Sequence, residues 1–173
     1  MSLTRRQLLA AAAALTGGAA LVGAAGVAGT AWRWWDQAPG AGYRNVSPDE
    51  ARFFDALAEA VFPAGGQPAL GGAEAGVAHY LDEVLQGMAP AQRNLIRLAA
   101  HALDNLARTS TGHALSDLPT PAATEVLRAW LAHPRPEIRG LAQSFYLFVT
   151  MAYLAHPDVA PLLVPSFSCG FGP

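Results

Sequence analysis

Two His-x-x-Asp pairs are the residues of this sequence whose types and spacing best suit metal chemistry. His79 and Asp82 form one pair, and His101 and Asp104 form the other. Residues three apart share one face of a helix, so two antiparallel helices could bring the four side chains together. Carboxylate-bridged metal sites in helical bundles require more carboxylates than these pairs supply. The pattern therefore favours solvated polar faces or hydrogen bonds between helices, with a stand-alone exported helical metalloprotein as the alternative.

Motifs for other catalytic chemistry are missing from the sequence. It has no phosphate-binding glycine loop between a strand and a helix, no pair of Cys-x-x-Cys motifs and no Gly-x-Ser-x-Gly turn. The formal net charge of −2 provides no basic footprint for nucleic acid. We therefore expect a chain that has no catalytic residue, binds no cofactor and is not an enzyme by itself.

Cys169 is the single cysteine of the 173-residue chain, so no disulfide can form within it. It lies in the glycine-containing stretch Ser-Phe-Ser-Cys-Gly-Phe-Gly-Pro. In an exported protein, a leftover cysteine is either a free thiol or one half of a disulfide to another chain. The sequence leaves both alternatives open.

The N-terminal segment has the charge pattern of an export signal. Arg5 and Arg6 precede a run without charge from residue 7 to residue 32 that is rich in alanine and glycine. The arginine pair looks like a twin-arginine signal, which a dedicated receptor reads, and an ordinary secretory signal is the alternative. Small residues at 29 and 31 suit cleavage, so residues 1–31 form either a signal peptide or an uncleaved membrane anchor. If the anchor is kept, the tryptophans that follow it suit a membrane surface, as in a membrane-anchored scaffold.

The rest of the chain predicts an all-α fold. Residues 32–46 form a linker, and residues 47–173 form a small bundle of about five helices with no strand alternation. The first helix begins with Ser47 as N-cap, Pro48 in the first turn and Glu50 completing a capping box. Apolar spacing and glycine or proline breaks predict helices at about 48–62, 73–86, 90–108, 121–132 and 140–155. The third helix is expected to bury Leu95, Leu98, Ala102, Leu103 and Leu106.

The last predicted helix is apolar on every side. Residues 140–155 carry no charge and include several bulky side chains. Because only four other helices can cover it, we expect part of this helix to face a partner protein. The candidate anchors are Phe145, Phe148, Tyr153 and Leu154.

Several stretches of the chain resemble the gluconate 2-dehydrogenase subunit 3 family. That family pairs a helix ending in proline with a glycine-alanine loop, followed by a helix carrying an aromatic residue and an aspartate. Here these are Phe62-Pro63, Gly72-Ala73, and Tyr80 through Asp82. The stretch Leu-Ala-Ala-His-Ala-Leu-Asp-Asn-Leu-Ala is similar to the family's next helix, and residues 145–159 are similar to its closing apolar helix. The resemblance covers about residues 48–160.

The resemblance implies a small subunit of a membrane-associated sugar or polyol dehydrogenase. The implied large subunit is an FAD-dependent oxidoreductase of the glucose–methanol–choline type, and a multihaem cytochrome c subunit often accepts its electrons. The small subunit lacks a cofactor, supplies the signal for the twin-arginine translocase and helps the flavoprotein mature. On this interpretation the folded pair is exported to the periplasm or the outer face of the membrane, where Cys169 could form an interchain disulfide.

Overall fold

The computed structural model describes residues 37–163, which form helices joined by loops of up to fifteen residues, the longest at 62–76. The α-helices are α1 (Pro48–Val61), α2 (Val77–Gln86), α3 (Pro90–Thr111), α4 (Thr120–Leu131), α5 (Pro136–Leu154) and α6 (Ala160–Leu163), with a 3₁₀ turn at Leu115–Asp117. No strand occurs in this part of the chain. The all-α prediction is confirmed, while the predicted signal or anchor, residues 1–31, lies outside the described residues.

Helix α1 begins with the predicted capping box. The Ser47 hydroxyl accepts a hydrogen bond from the Glu50 N–H at 3.3 Å, and the Glu50 carboxylate accepts one from the Ser47 N–H at 2.7 Å. Together they satisfy two backbone donors that the helix itself cannot pair. The helix ends at Val61, just before Phe62 and Pro63, because proline cannot donate the hydrogen bond needed to continue it.

Helix α1 is the centre of the bundle. It packs against α2, α3, α4, α5 and the 3₁₀ turn. Phe53 and Phe54 are almost fully buried and meet the ring of Phe145 from α5 at centroid distances of 6.1 and 6.0 Å. Burial of such a side chain contributes about 1.5–3 kcal/mol, so this aromatic cluster is a main source of stability.

The loop after α1 folds back tightly onto that helix. The Gly72 N–H donates to the Phe62 carbonyl oxygen at 2.7 Å, and a Cβ atom on Gly72 would lie only 2.1 Å from the Ala58 carbonyl oxygen. No residue larger than glycine fits this approach. The Glu59 carboxylate fastens the same loop by accepting hydrogen bonds from the N–H groups of Ala64 and Ala73. The role of the glycine-alanine motif, Gly72-Ala73, is therefore to let the loop pack against α1.

Some helix boundaries differ from those predicted. Helix α2 begins at Val77 rather than near residue 73, because Gly76 takes a left-handed conformation with φ of 65°. Helix α3 continues to Thr111 and stops at Gly112, which has φ of 83°. Helix α5 begins at Pro136, and the short helix α6 was not predicted. Within residues 37–163, no helix combines the length and apolarity needed to cross a lipid bilayer.

Candidate functional site

Helix α5 carries the candidate partner residues, and its two faces differ. No charged side chain occurs between Gly140 and the end of the helix at Leu154. The inner face is buried against the bundle and consists of Ala142, Phe145, Val149, Ala152 and Tyr153. The helix is therefore part of the core as well as a surface element.

Phe145 was expected to contact a partner, and the structure corrects this. Its ring stacks on that of Phe54 and lies edge-on to that of Phe53, and only 3% of the residue is exposed. Withdrawing it to reach another protein would leave a cavity in the core, at a cost of about 3–5 kcal/mol. Phe145 is thus a core residue of this chain.

Tyr153 requires the same correction. Its ring stacks on Phe62 with centroids 3.9 Å apart, and its hydroxyl donates to the Leu70 carbonyl oxygen at 2.7 Å. Burial raises the pKa of the Tyr153 hydroxyl, with a smaller contribution from the nearby Glu59 carboxylate. Tyr153 thus joins α5 to the loop after α1, and it is not free to anchor another chain.

The outer face of α5 is apolar and open to solvent. Of the other two predicted anchors, Leu154 is 41% exposed and Phe148 is half-buried at the edge of the core. Beside Leu154 lie Leu147, 59% exposed, and Met151, 57% exposed. Their spacings of four and three residues place these three on one side of the helix, with Tyr146 next to them. We refer to Tyr146, Leu147, Met151 and Leu154 as the outer stripe.

The sequence interpretation missed most of the outer stripe. It selected the large aromatic residues as anchors, but those are the residues that the core retains. After Arg139 the helix has no charge to mark its solvent side, so composition could not orient this part of it. The spacing of Ala142, Phe145, Val149 and Ala152 is the signal that could have identified the inner face.

A small apolar recess lies at the edge of the core, next to Phe148. Its free volume is about 10 Å³, and it is lined by Phe54, Leu81, Val84, Leu85, Ile96, Phe145 and Phe148. Sites for drug-sized ligands enclose about 300–1,000 Å³ and contain polar groups that orient the ligand. The recess has room for about one water molecule and is too small for a cofactor.

Asp82 has a structural role in place of metal binding. Its carboxylate accepts hydrogen bonds from the backbone N–H groups of Arg44, Asn45 and Val46 at 2.9, 2.7 and 3.0 Å. Val46 is fully buried and Asn45 nearly so. The described part of the segment expected to be a linker is therefore fixed to α2 at its C-terminal end, and Asp82 is the residue that fixes it.

The other three predicted ligands also have partners of their own. The His79 ring stacks on Tyr43 at a centroid distance of 4.4 Å. The Asp104 carboxylate accepts hydrogen bonds from the Leu115 N–H at 2.9 Å and from the Arg108 side chain at 3.1 Å. His101 lies 3.1 Å from the carboxylate of Glu50 on α1. The two His-x-x-Asp pairs therefore contact different parts of the chain.

The four side chains that were considered as metal ligands are not brought together in one site. Within residues 37–163, no group of three or more His, Cys, Asp and Glu side chains is placed to hold a metal ion. Helices α2 and α3 both pack on α1 and present their polar residues to different neighbours. The sequence pattern suggested a shared site because it shows which residues share a helix face, but not which faces meet.

Glu50 forms a buried ion pair that the sequence analysis did not identify. Its carboxylate is 1% exposed and contacts Arg97 at 2.7 Å as well as His101. Burial alone would raise the pKa of Glu50, but hydrogen bonds from His101, Arg97 and the Ser47 N–H outweigh it and hold the pKa below its ordinary value. The capping glutamate thus also binds α1 to α3.

The remaining predicted site residues, Arg5, Arg6 and Cys169, lie outside the described residues. Their roles in an export signal and in an interchain disulfide stay predictions.

Comparison with known proteins supports one relationship. The family model described as gluconate 2-dehydrogenase subunit 3 matches residues 48–158, which confirms the resemblance drawn from the sequence. The matched region runs from the start of α1 past the end of α5. No curated protein and no solved structure matches the chain.

Proposed function

Because this chain belongs to the gluconate 2-dehydrogenase subunit 3 family, we propose that it is the non-catalytic small subunit of an FAD-dependent sugar or alcohol dehydrogenase complex. The family's name describes one subunit of a dehydrogenase, so chains of this kind work with other subunits. In the proposal, a flavoprotein of the glucose–methanol–choline type performs the oxidation and a cytochrome c subunit accepts the electrons.

The observation that carries this proposal is the outer stripe. Three large apolar residues, Leu147, Met151 and Leu154, are each 41–59% exposed on one side of the part of α5 that follows Arg139, which has no charge. Exposed apolar patches of this kind mark protein interaction sites, since burying them in an interface removes apolar surface from water. The stripe is the docking face for the flavoprotein.

The proposed cellular role is that of an export escort. Arg5 and Arg6 would direct the chain to the twin-arginine translocase, and a flavoprotein without its own signal would be carried with it after folding and binding FAD. The complex would then act at the periplasmic or outer face of the cytoplasmic membrane. Cys169 would be available there for a disulfide to another subunit.

Co-expression with an FAD-dependent dehydrogenase from the same genome tests the docking face. We expect the double variant Leu147→Ser, Met151→Ser to lose most co-purification with the flavoprotein and to leave it in the cytoplasm. Leu95→Ser is the matched control, because Leu95 is 48% exposed on a different helix. Co-purification of the double variant at the level of Leu95→Ser would contradict the proposed face.

The signal is tested separately from the docking face. The variant Arg5→Lys, Arg6→Lys should still co-purify with the flavoprotein from the cytoplasm, but neither chain should be exported. Export of the flavoprotein in cells that lack this chain would refute the escort role while leaving the interface intact.

A further inference from the structure

The outer face of α5 has two halves that differ in the size of their side chains. Leu147, Met151 and Leu154 of the outer stripe form the large half, and each is 41–59% exposed. Gly140 and Ser144 project on the same side of the helix, one and two turns before Leu147, and we refer to them as the small half. The face therefore changes from small to large side chains along about 21 Å of helix.

The small half allows a close approach that this chain itself does not use. A Cβ atom on Gly140 would meet no neighbouring atom within 4 Å, so alanine would fit there. Glycine inside a helix lowers its stability relative to alanine, and the described fold gains nothing in return. Ser144 is exposed, and its hydroxyl donates to the Gly140 carbonyl oxygen at 2.9 Å. Burial of Ser144 in an interface would therefore leave no donor unpaired.

The two ends of this face differ in charge. Arg135, Glu137 and Arg139 lie at the start of α5, so arginine exceeds glutamate there. Asp158 follows the end of the helix beside the His156 ring, and its side chain is 83% exposed. The helix dipole adds positive charge at the first end and negative charge at the second. The small half thus lies at the positive end and the large half at the negative end.

A second copy of this chain matches the face when the two helices run antiparallel. With Leu147 of one copy level with Met151 of the other, Leu154 lies level with Ser144, and Asp158 comes to the end that carries Arg139. The large half of each copy then fills the small half of the other, and opposite charges meet at both ends. Parallel pairing would place large side chains on large ones and like charges together, so the face is self-complementary in one orientation.

We propose that two copies of this chain pair antiparallel through the outer face of α5, and that this pair covers the outer stripe until the flavoprotein binds. Apolar contact provides the affinity, and the charges at the ends select the orientation. An interface made by one helix from each copy belongs to the small class, below about 1,200 Å², whose members associate weakly and reversibly. The pairing is independent of the flavoprotein, whereas its displacement rests on the proposed function.

An exposed leucine on α3 provides a control for the apolar contact. Leu95 and Ala102 were expected to be buried, but Leu95 is 48% exposed and Ala102 is also exposed, which corrects the predicted orientation of α3. The exposed residue one turn before Leu95 is Gln92, so no apolar stripe like that of α5 continues there. Leu95→Ser therefore removes an exposed leucine without altering α5.

Sedimentation equilibrium of the full chain measures the pairing, in a Cys169→Ser background that excludes disulfide-linked dimers. We expect a monomer–dimer equilibrium whose dissociation constant rises at least about tenfold in Leu147→Ser, Met151→Ser and in Gly140→Leu, but not in Leu95→Ser. Leucine favours the helix and the space beside Gly140 is open, so Gly140→Leu should leave the monomer folded. A chain that is monomeric at every concentration, or equal constants for Gly140→Leu and wild type, would overturn the pairing.

Cross-linking tests the orientation. Chains with Ser144→Cys and chains with Leu154→Cys, both in the Cys169→Ser background, are mixed in equal amounts and treated with a bismaleimide that spans about 8–10 Å, the distance between packed helix axes. Mass spectrometry should find mixed cross-links, between positions 144 and 154, several-fold above the two symmetric products together. A yield of mixed cross-links no higher than that of the symmetric products would contradict the antiparallel register.

The displacement is tested by adding the flavoprotein to the same mixture before cross-linking. We expect the mixed cross-link to fall at least about tenfold and the purified complex to contain one copy of this chain for each flavoprotein. A complex that retains the mixed cross-link would refute the displacement. If no complex forms, the proposed function fails together with the displacement, while the pairing measured in the isolated chain stands.

Discussion

The carboxylates of helix α1 bind other segments of its own chain, whereas α5 has no charged side chain after Arg139. Glu50 binds Arg97 and His101 of α3, and Glu59 binds the loop that follows α1. Asp55 accepts a hydrogen bond from the Ala78 N–H at the start of α2, where Gly76 provides no side-chain cap.

The difference shows how two helices of one bundle can have different tasks. The charges of α1 are used within the chain, where they fix loops and helix ends that the core alone would not order. Helix α5 contributes its inner face to the core and leaves its outer stripe uncovered by the described chain. Substitutions in α1 or its contacts should therefore affect folding, while substitutions in the outer stripe should affect association.

The largest effect is expected where the loop meets the backbone of α1. Gly72→Ala places a Cβ atom 2.1 Å from the Ala58 carbonyl oxygen, so either the loop or the helix must move. We expect destabilisation of more than about 4 kcal/mol, measured by urea unfolding, or failure to fold. The control is Gly66→Ala, where the nearest atom lies at 3.5 Å. Equal stability of the two variants would show that this contact does not constrain the fold.

Removal of the buried charge on α1 should have the next largest effect. Glu50→Gln leaves Arg97 without its ionic partner and should lower the free energy of unfolding by about 3 kcal/mol at neutral pH. The control Glu137→Gln removes an exposed carboxylate from α5 and should change the stability by less than about 0.5 kcal/mol.

The effect of Glu50→Gln on the free energy of unfolding should also depend on pH. The pKa of Glu50 is lower in the folded chain than in the unfolded chain, where it is 4.5. The ionised carboxylate therefore contributes its full stabilisation above pH 4.5, and this stabilisation is lost as the pH falls through the pKa of the folded chain. Asp55 acts in the opposite direction, because burial raises its pKa above 3.8 and its ionisation then lowers the stability as the pH rises. The stability difference between wild type and Glu50→Gln should shrink below pH 4.5, and a constant difference would show that the Glu50 charge is not responsible.

A smaller effect is expected where α5 meets the loop after α1. Tyr153→Phe keeps the stacking on Phe62 but removes the hydrogen bond to the Leu70 carbonyl oxygen. We expect a loss of about 1 kcal/mol in the free energy of unfolding. Tyr146→Phe, on the exposed side of the same helix, is the control and should have almost no effect. A comparable loss in both variants would contradict the assignment of inner and outer faces.

The smallest effect on stability is expected in the outer stripe. Leu147→Ala combined with Met151→Ala should change the free energy of unfolding by less than about 0.5 kcal/mol, because both side chains are more than half exposed. Thermal and urea unfolding of the isolated chain check this directly. A loss above about 2 kcal/mol would mean that the stripe is covered within the chain, and the contrast between α1 and α5 would disappear.

Local sequence signals predicted the parts of the fold that local chemistry controls. The Ser47–Glu50 capping box, the end of α1 before Pro63 and the start of α3 at Pro90 all follow from residues within one helical turn. The start of α2 was missed because the backbone of Gly76 becomes left-handed only in the context of the folded loop. The helix propensities of the residues do not predict this left-handed conformation.

The candidate site was harder to predict, because its residues are defined by contacts between distant segments. Asp82 had a spacing that suited metal ligands, but its three partners lie 36–38 residues earlier in the chain. On α5, Phe145 and Leu147 have similar hydrophobicity, and only the packing of α1 against one side separates core from surface. The lack of charge in residues 140–155 predicted that one face of the helix would be exposed, but not which one.

The lack of charge on α5 after Arg139 also determines how an assembly formed through the outer stripe would respond to solution conditions. Dissolved salt weakens attraction between exposed ions over a distance of about 8–10 Å at ordinary ionic strength, but an interface without ions has nothing to screen. A complex formed through Leu147 and Met151 would therefore persist in concentrated sodium chloride and come apart in detergent or chaotropic agents.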